Sequence, residues 1–332
     1  MTPFAIAGIQ MHISAVEDNT DGMLHRLDIL MSRFPWVQMV VFSELAPHGP
    51  LIETAQPFPN ETERKFQEAA ARHRVWLIPG SMFEQVEGGV YNTASVIDPQ
   101  GRLVGRYRKM FPFAPYEQGV ESGSDFMVFD VPGVGRFGLS ICYDIWFPET
   151  TRTLTAMGVE VLLHPVLTGT IDRDVEISIA RATAAMFQCY VVDVNGLSVG
   201  GFGKSCVFDP TGTAVHQAAG QEEMIAVEID LDMVRRQREV GMKSLGQLHK
   251  SFRDRVVDFP VYDRATFDAT YLNSLGPLQI PHQGSRAGLD VPPPGSFAPA
   301  PVAAPVHVAA PIAAAVESLV TAPIGALPDV AE

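Results

Sequence analysis

The amino-acid sequence predicts an α/β protein. Short apolar runs alternate with stretches of helical periodicity, a strand ending in an Asp-Pro-x-Gly turn occurs twice, and polar residues close several of the apolar runs. Alternation of this kind is the mark of strands layered against helices.

In chain order, Phe4 to Gln10 is a buried strand, and Met23, Leu24, Leu27, Leu30 and Met31 recur at helical spacing. Met39 to Phe42 is the next strand. Asn60 is an N-cap with Glu63 three residues on, opening a helix towards His73, and Val75 to Pro79 follows as a strand. Phe137 to Ile141 is a strand that ends at Cys142. Pro148 to Met157 is a helix stopped by Gly158, a C′ glycine. Val159 to Leu163 is a strand, His164 to Thr170 a loop, Asp172 to Gln188 a helix, and Tyr190 to Val194 a strand. The sequence around Ala94-Ser95-Val96-Ile97-Asp98-Pro99-Gln100-Gly101 is echoed by Ser205-Cys206-Val207-Phe208-Asp209-Pro210-Thr211-Gly212. In each, proline presets φ and glycine takes the strained position of the turn. Two such hairpins predict two sheets of related construction in one domain.

Composition narrows the function classes. With 46% hydrophobic residues in 332, the chain can bury a large core. A net charge of −14 disfavours phosphate backbones and anionic lipid, so nucleic acid and membrane surfaces are not expected partners. Cys142, Cys189 and Cys206 are too scattered for a disulfide framework or a CxxC metal site, and the histidines show no close ligand pair. No metal and no cofactor are expected. The first apolar run lacks a basic segment ahead of it and reads as a strand, not a signal peptide, and no stretch is long enough to span a bilayer. The expected compartment is the cytoplasm. The domain is expected over residues 1–280, with an extension from about Leu231; residues 281–332, rich in Ala and Pro, are expected to be a disordered tail.

Candidate chemistry gathers where strands end. Glu44 follows Met39 to Phe42, Cys142 follows Phe137 to Ile141, and His164 follows Val159 to Leu163. Catalytic side chains collect at the C-terminal ends of strands in α/β folds. Singly, each has an ordinary explanation, as a turn carboxylate or a buried small thiol. Lys109, after the strand that leaves the first Asp-Pro-x-Gly turn, makes the set distinctive. With its contexts Val40-Val41-Phe42-Ser43-Glu44, Tyr107-Arg108-Lys109 and Cys142-Tyr143-Asp144-Ile145-Trp146-Phe147-Pro148-Glu149, the chain resembles the nitrilase superfamily of carbon–nitrogen hydrolases, in its amidase and carbamoylase-like branch, over roughly residues 4 to 240.

That resemblance implies a four-layer α-β-β-α sandwich with two mixed sheets, and a homodimer or higher homo-oligomer. It implies Cys142 as nucleophile, Glu44 as proton carrier, and Lys109 with the Tyr143 N–H at the developing oxyanion. Glu117 matches a second glutamate near the site, which would orient Lys109 or the substrate. Asp144 is expected to bond the turn beneath Cys142, Glu149 to favour a helix N-terminus, and Arg181 to pair with a carboxylate. Cys189 and Cys206 are expected in the core.

The expected substrate is a small neutral or apolar carboxamide that releases ammonia through a thioester. Trp146 stands where many ω-amidase-like members carry Arg, which sets a dicarboxylate mono-amide aside. Phe111, Phe113 and Tyr116 add rings before Glu117. Substrate contacts are expected from Tyr116, Tyr143, Trp146, His164, Pro165 and Val166. An N-carbamoyl compound, an acyltransferase and a catalytically silent scaffold are the alternatives, and a Cys142–His164 dyad is a minor rival.

Overall fold

A computed structural model describes residues 1–199 and 201–281 of the chain. Its centre is two mixed sheets. The first orders Glu223–Asp230, Pro3–Gln10, Met39–Phe42, Trp76–Ile78, Gly89–Ile97 and Ser81–Val86, with Leu103–Arg108 and Val120–Glu121 both added to Gly89–Ile97. The second orders Ala214–Gln217, Cys206–Phe208, Tyr190–Asn195, Val161–Val166, Gly135–Leu139 and Val128–Val131.

Side-chain alternation explains why the sheets stack. Along Met39–Phe42, Met39 and Val41 enter one core while Val40 and Phe42 enter another. Tyr190, Val192 and Val194 join Met39 and Val41, whereas Val191 turns to a third core. Successive strand residues point to opposite faces, so a strand apolar throughout must be covered twice. The shared core lies between the sheets. The Thr20–Arg33 and Glu61–His73 helices cover the outer face of the first sheet, and Pro148–Ala156 and Arg173–Phe187 that of the second. This is the α-β-β-α sandwich.

The twin turns occupy matching places. Asp98 Oδ1 accepts from the N–H groups of Gln100 and Arg102, and Asp209 Oδ1 from those of Thr211 and Thr213. Gly101 and Gly212 both sit at φ +77°. Each turn closes a hairpin at the side of its sheet where a parallel strand pair gives way to antiparallel pairing.

The Glu61–His73 helix starts as expected, with the Asn60 side chain accepting from the Glu63 N–H at 2.8 Å. Two boundaries differ. The strand before Cys142 ends at Leu139, and the strand containing His164 runs Val161–Val166, so the loop expected from His164 begins after Val166. In-register parallel pairing of His164 with Asp193, Pro165 with Val194 and Val166 with Asn195 carries the strand past its apolar portion.

Two compact units divide the described chain. The first comprises Met1–Asp258 and Leu278–Ile280, and its Leu231–Val240 helix buries Leu231 and Val234. Residues 259–277 fall in the second, with a 3₁₀ turn at Pro260–Tyr262 and a short helix at Thr270–Ser274. Beyond Pro281, the expected tail lies outside the described residues. No helix among the described residues is long and apolar enough to cross a membrane.

Candidate active site

Glu44 lies two residues past Met39–Phe42, and its N–H donates to the Val166 carbonyl at 3.2 Å. The end of a first-sheet strand is thereby fastened to the end of a second-sheet strand. Gly80, at φ +77°, lets the chain pass close by: a Cβ there would lie 1.9 Å from the Ser43 carbonyl oxygen.

Lys109 follows Leu103–Arg108 and is fixed by its backbone, its N–H donating to the Asn92 carbonyl and its own carbonyl accepting from Gly123. Its ammonium reaches two carboxylates at once, Glu44 Oε1 at 2.8 Å and Glu117 Oε2 at 2.8 Å. Asn92 Nδ2 also donates to Glu44 Oε1 at 2.8 Å, and the Phe113 N–H donates to Glu117 Oε2. Lys109 and Glu44 are buried at 1% and 2% exposure, so charge there must be paired. Burial pushes the Glu44 carboxyl up, against the pull of Lys109. Burial also opposes the Lys109 ammonium, but Glu44, Cys142 and Glu117 outweigh it and hold its pKa well above the ordinary lysine value.

Cys142 opens a 3₁₀ turn, Cys142–Trp146, with φ +46°. A side chain in that left-handed region costs about 1–2 kcal/mol, so surrounding contacts must hold it there. Asp144 supplies them. Its Oδ2 accepts from the Ile141 N–H at 2.8 Å and the Tyr107 hydroxyl at 2.7 Å, and its Oδ1 accepts from the Phe111 N–H at 2.8 Å. One buried carboxylate therefore ties the cysteine turn to residues on both sides of Lys109. Burial raises Asp144 to about 6, although all three bonds favour the carboxylate. Burial, then the Glu44 charge, push the Cys142 thiol well above its usual value, with Lys109 opposing. The resting group is the thiol.

Cys142 opens onto a cavity of about 170 Å³. Phe113, Tyr143 and Trp146 line it, Phe113 packed edge-on to Tyr143, and Leu167–Thr170 and two acids, Asp172 and Glu176, complete it. Cys142 Sγ lies 3.7 Å from Thr168 Oγ1 and 3.9 Å from Glu176 Oε1. Asn195 clamps the loop, accepting from the Thr168 N–H at 2.9 Å and donating to its carbonyl at 3.0 Å.

Of the residues expected around the substrate, Tyr143 and Trp146 line this cavity. Tyr116 is 57% exposed and stacks on Phe113, one layer out. His164, Pro165 and Val166 correct the sequence expectation. They are buried strand residues outside the cavity lining, because the strand runs on to Val166. His164 Nδ1 bonds Ser140 Oγ at 2.8 Å, and burial lowers its pKa to about 4, so it belongs to the scaffold beneath the site. Arg181 donates to the Gly212 carbonyl at 2.8 Å, not to a carboxylate. Cys189 and Cys206 are buried in the core.

Sequence inspection missed Thr168, Asp172 and Glu176. Asp172 and Glu176 stand four apart at the start of the Arg173–Phe187 helix, on one face. Acids in a first turn ordinarily complement the helix dipole, which masked them. Among the described residues, no group of three or more His, Cys, Asp or Glu is arranged to hold a metal ion.

A family model described as carbon-nitrogen hydrolase matches residues 5–239. Omega-amidase NIT2 of Homo sapiens is 29% identical over 254 residues, covering 70% of this chain and 90% of that protein. A formamidase of Bacillus cereus is 28% identical over 245 residues, covering 68% and 74%. Saccharomyces cerevisiae Nit3, described as a member of branch 10 of the nitrilase superfamily, superposes with a TM-score of 0.65 at 24% identity, covering 72% of this chain and 94% of its own.

Proposed function

The chain belongs to the carbon–nitrogen hydrolase family, and from that premise we propose that it is an amidase that cleaves the C–N bond of a small carboxamide through a Cys142 thioester. The observation that carries the proposal is the Lys109 ammonium held at 2.8 Å from both Glu44 and Glu117, with Asp144 tying the Cys142 turn to Tyr107 and Phe111 on either side of Lys109.

In this mechanism Glu44 takes the Cys142 proton as sulfur attacks the amide carbonyl carbon. A raised carboxyl pKa suits Glu44 to accept and then return that proton. The carbonyl oxygen gathers negative charge against Lys109 and the Tyr143 N–H, donors of a kind worth roughly 10²–10³ in rate each. Glu44 then protonates the departing nitrogen, so ammonia leaves and the thioester remains. Water, deprotonated by Glu44, attacks the thioester; carboxylic acid leaves and the Cys142 thiol is restored. Glu117 is the positioning residue of this scheme, fixing the ammonium as its second carboxylate partner.

A cavity of about 170 Å³ sets the scale of the acyl group. An apolar cavity of roughly 150 Å³ takes up benzene, so about six heavy atoms fit here. A homodimer or higher homo-oligomer acting in the cytoplasm belongs to the same proposal, its mass checked by light scattering.

The test is ammonia release from a panel of small amides, N-carbamoyl compounds and nitriles, with Cys142→Ala beside the wild type. Release from carboxamides that disappears in the variant supports the proposal. Release from carbamoyl compounds alone moves the substrate class and leaves the mechanism. Full activity in Cys142→Ala overturns it.

A further inference from the structure

The cavity beside Cys142 carries an acidic group that the hydrolytic steps do not use. Glu176 is 2% exposed, and its Oε2 accepts from Arg173 Nη1 at 2.8 Å. Its Oε1 lies on the cavity side, 3.9 Å from Cys142 Sγ. Asp172 adds a second carboxyl to the lining, and among the described lining residues none is Lys, Arg or His.

The nearest buried cations have nothing to offer an anionic substrate. A guanidinium has five N–H donors. Those of Arg173 go to Glu176, to both Asp193 oxygens, and to the carbonyls of Gly203 and Lys204. Counting Arg173 as positive and Asp193 and Glu176 as negative, the cluster carries one net negative charge when all are ionised. Lys109 is already shared between Glu44 and Glu117. A carboxylate in the acyl group would meet Asp172 and Glu176 with no free counter-charge. A protonated amine would meet its complement.

Position then narrows the class. Once sulfur is bonded to the acyl carbon, an amine on the adjacent carbon comes within hydrogen-bond reach, roughly 2.7–3.2 Å, of an oxygen so near that sulfur. Resting on the amidase function proposed above, we infer that Glu176 is a specificity-determining residue that selects 2-amino carboxamides, binding the ammonium on the carbon next to the scissile carbonyl. This departs from the neutral or apolar acyl group expected from the sequence. It also gives the Arg173–Asp193 pair a purpose, which is to hold the Glu176 carboxylate at the cavity wall.

The experiment compares three amides of similar size on the full-length wild type at pH 7.5: alaninamide, propionamide (lacking only the amine) and succinamate (carrying a carboxylate). The expected kcat/KM order is alaninamide over propionamide by roughly 10- to 100-fold, the range of one charge-assisted hydrogen bond, with succinamate slowest. In Glu176→Gln the alaninamide-to-propionamide ratio is expected to fall to within a few-fold of unity. Equal rates on the first two amides in the wild type overturn the inference while leaving the amidase proposal standing. So does a ratio that survives Glu176→Gln, because a purely structural Glu176 would depress both substrates alike. If none of the three amides is cleaved while other members of the amide panel release ammonia, the inference fails and the amidase proposal stands.

Discussion

Replacing Lys109 by Met removes the ammonium and keeps most of the side-chain volume, leaving Glu44 and Glu117 face to face in a buried site. At 2.8 Å each Lys109–carboxylate contact has a gross attraction of about 6 kcal/mol with an effective dielectric near 20. Desolvation offsets most of this, and breaking a buried pair by removing one partner costs roughly 3–5 kcal/mol. Lys109→Met is therefore expected to lose about 3–5 kcal/mol at pH 8 by urea unfolding. The loss has a pH signature. Without the ammonium, the folded-state pKa of Glu44, already raised by burial, rises further above its unfolded value. The folded protein then binds more protons than the unfolded chain between those two values, so the variant's stability falls as pH rises through that window. Its deficit is expected to be smaller at pH 5 than at pH 8. Adding Glu44→Gln should recover more of the loss than adding Glu117→Gln, since the Glu44 side chain is 3% exposed and that of Glu117 16%. A deficit under about 1 kcal/mol at pH 8, or one indifferent to pH, would refute the claim that these three groups form one buried charge cluster.

Further expectations concern turnover. Glu44→Gln should abolish proton transfer with Cys142 and lower kcat by at least about 10²-fold in a continuous ammonia assay. Asp144→Asn keeps an acceptor for two of its three donors but turns an N–H of its own towards Phe111; loosening the Cys142 turn is expected to cost roughly 10–100-fold in kcat with little change in KM. Selectivity should follow pH. Glu176 is pushed up to about 7 by burial and then by Asp193, with Arg173 opposing. Cys142 from its 3₁₀ turn and Cys206 from its strand face the same cluster. A 2-amino amide carries its charge only below about 8, as α-amino groups do, so the alaninamide-to-propionamide ratio should rise from pH 6, peak between about 7 and 8, and fall above; a flat ratio would count against charge recognition by Glu176.

Much of the fold was readable because it rests on periodicity and local bonds. Strands apolar on both faces, the 3.6-residue spacing of the Thr20–Arg33 helix, the Asn60 cap and the paired Asp-Pro-x-Gly turns all depend on neighbours a few residues away. Glu44 and Cys142 stood out because each follows the end of an apolar strand, and Lys109 because it follows the strand that leaves the first Asp-Pro-x-Gly turn, all three in contexts that match a family. His164 was misplaced because a polar residue followed by proline looks like a loop from the sequence. The bonds that keep the strand going come from Asp193 to Asn195 on the next strand, and the partner of its ring is Ser140, 24 residues back. Glu176 was invisible for the same reason, since its meaning comes from Arg173, Asp193 and Cys142 converging from three elements.

The sandwich itself explains why the site lies where it does. Both sheets have the same core, two parallel pairings flanked by antiparallel ones. Glu44 lies beyond the middle strand of the parallel set in the first sheet, and Cys142 beyond the outermost strand of the parallel set in the second. The Glu44 N–H bond to Val166 joins the two sets. Lys109 enters from the hairpin arm that begins at the first Asp-Pro-x-Gly turn, and Asp144 locks that arm to the cysteine turn. Each sheet alone presents only part of the chemistry, so a mutation that slides one sheet against the other should separate carboxylate from thiol while leaving both sheets folded. Val41 and Leu163 are the places to look, since both are fully buried in the shared core just below Glu44 and His164. Val41→Ala, which leaves a small void there, is expected to cost kcat more than its loss of about 1–3 kcal/mol in stability would imply, whereas Val40→Ala, on the opposite face of the same strand, should cost stability alone.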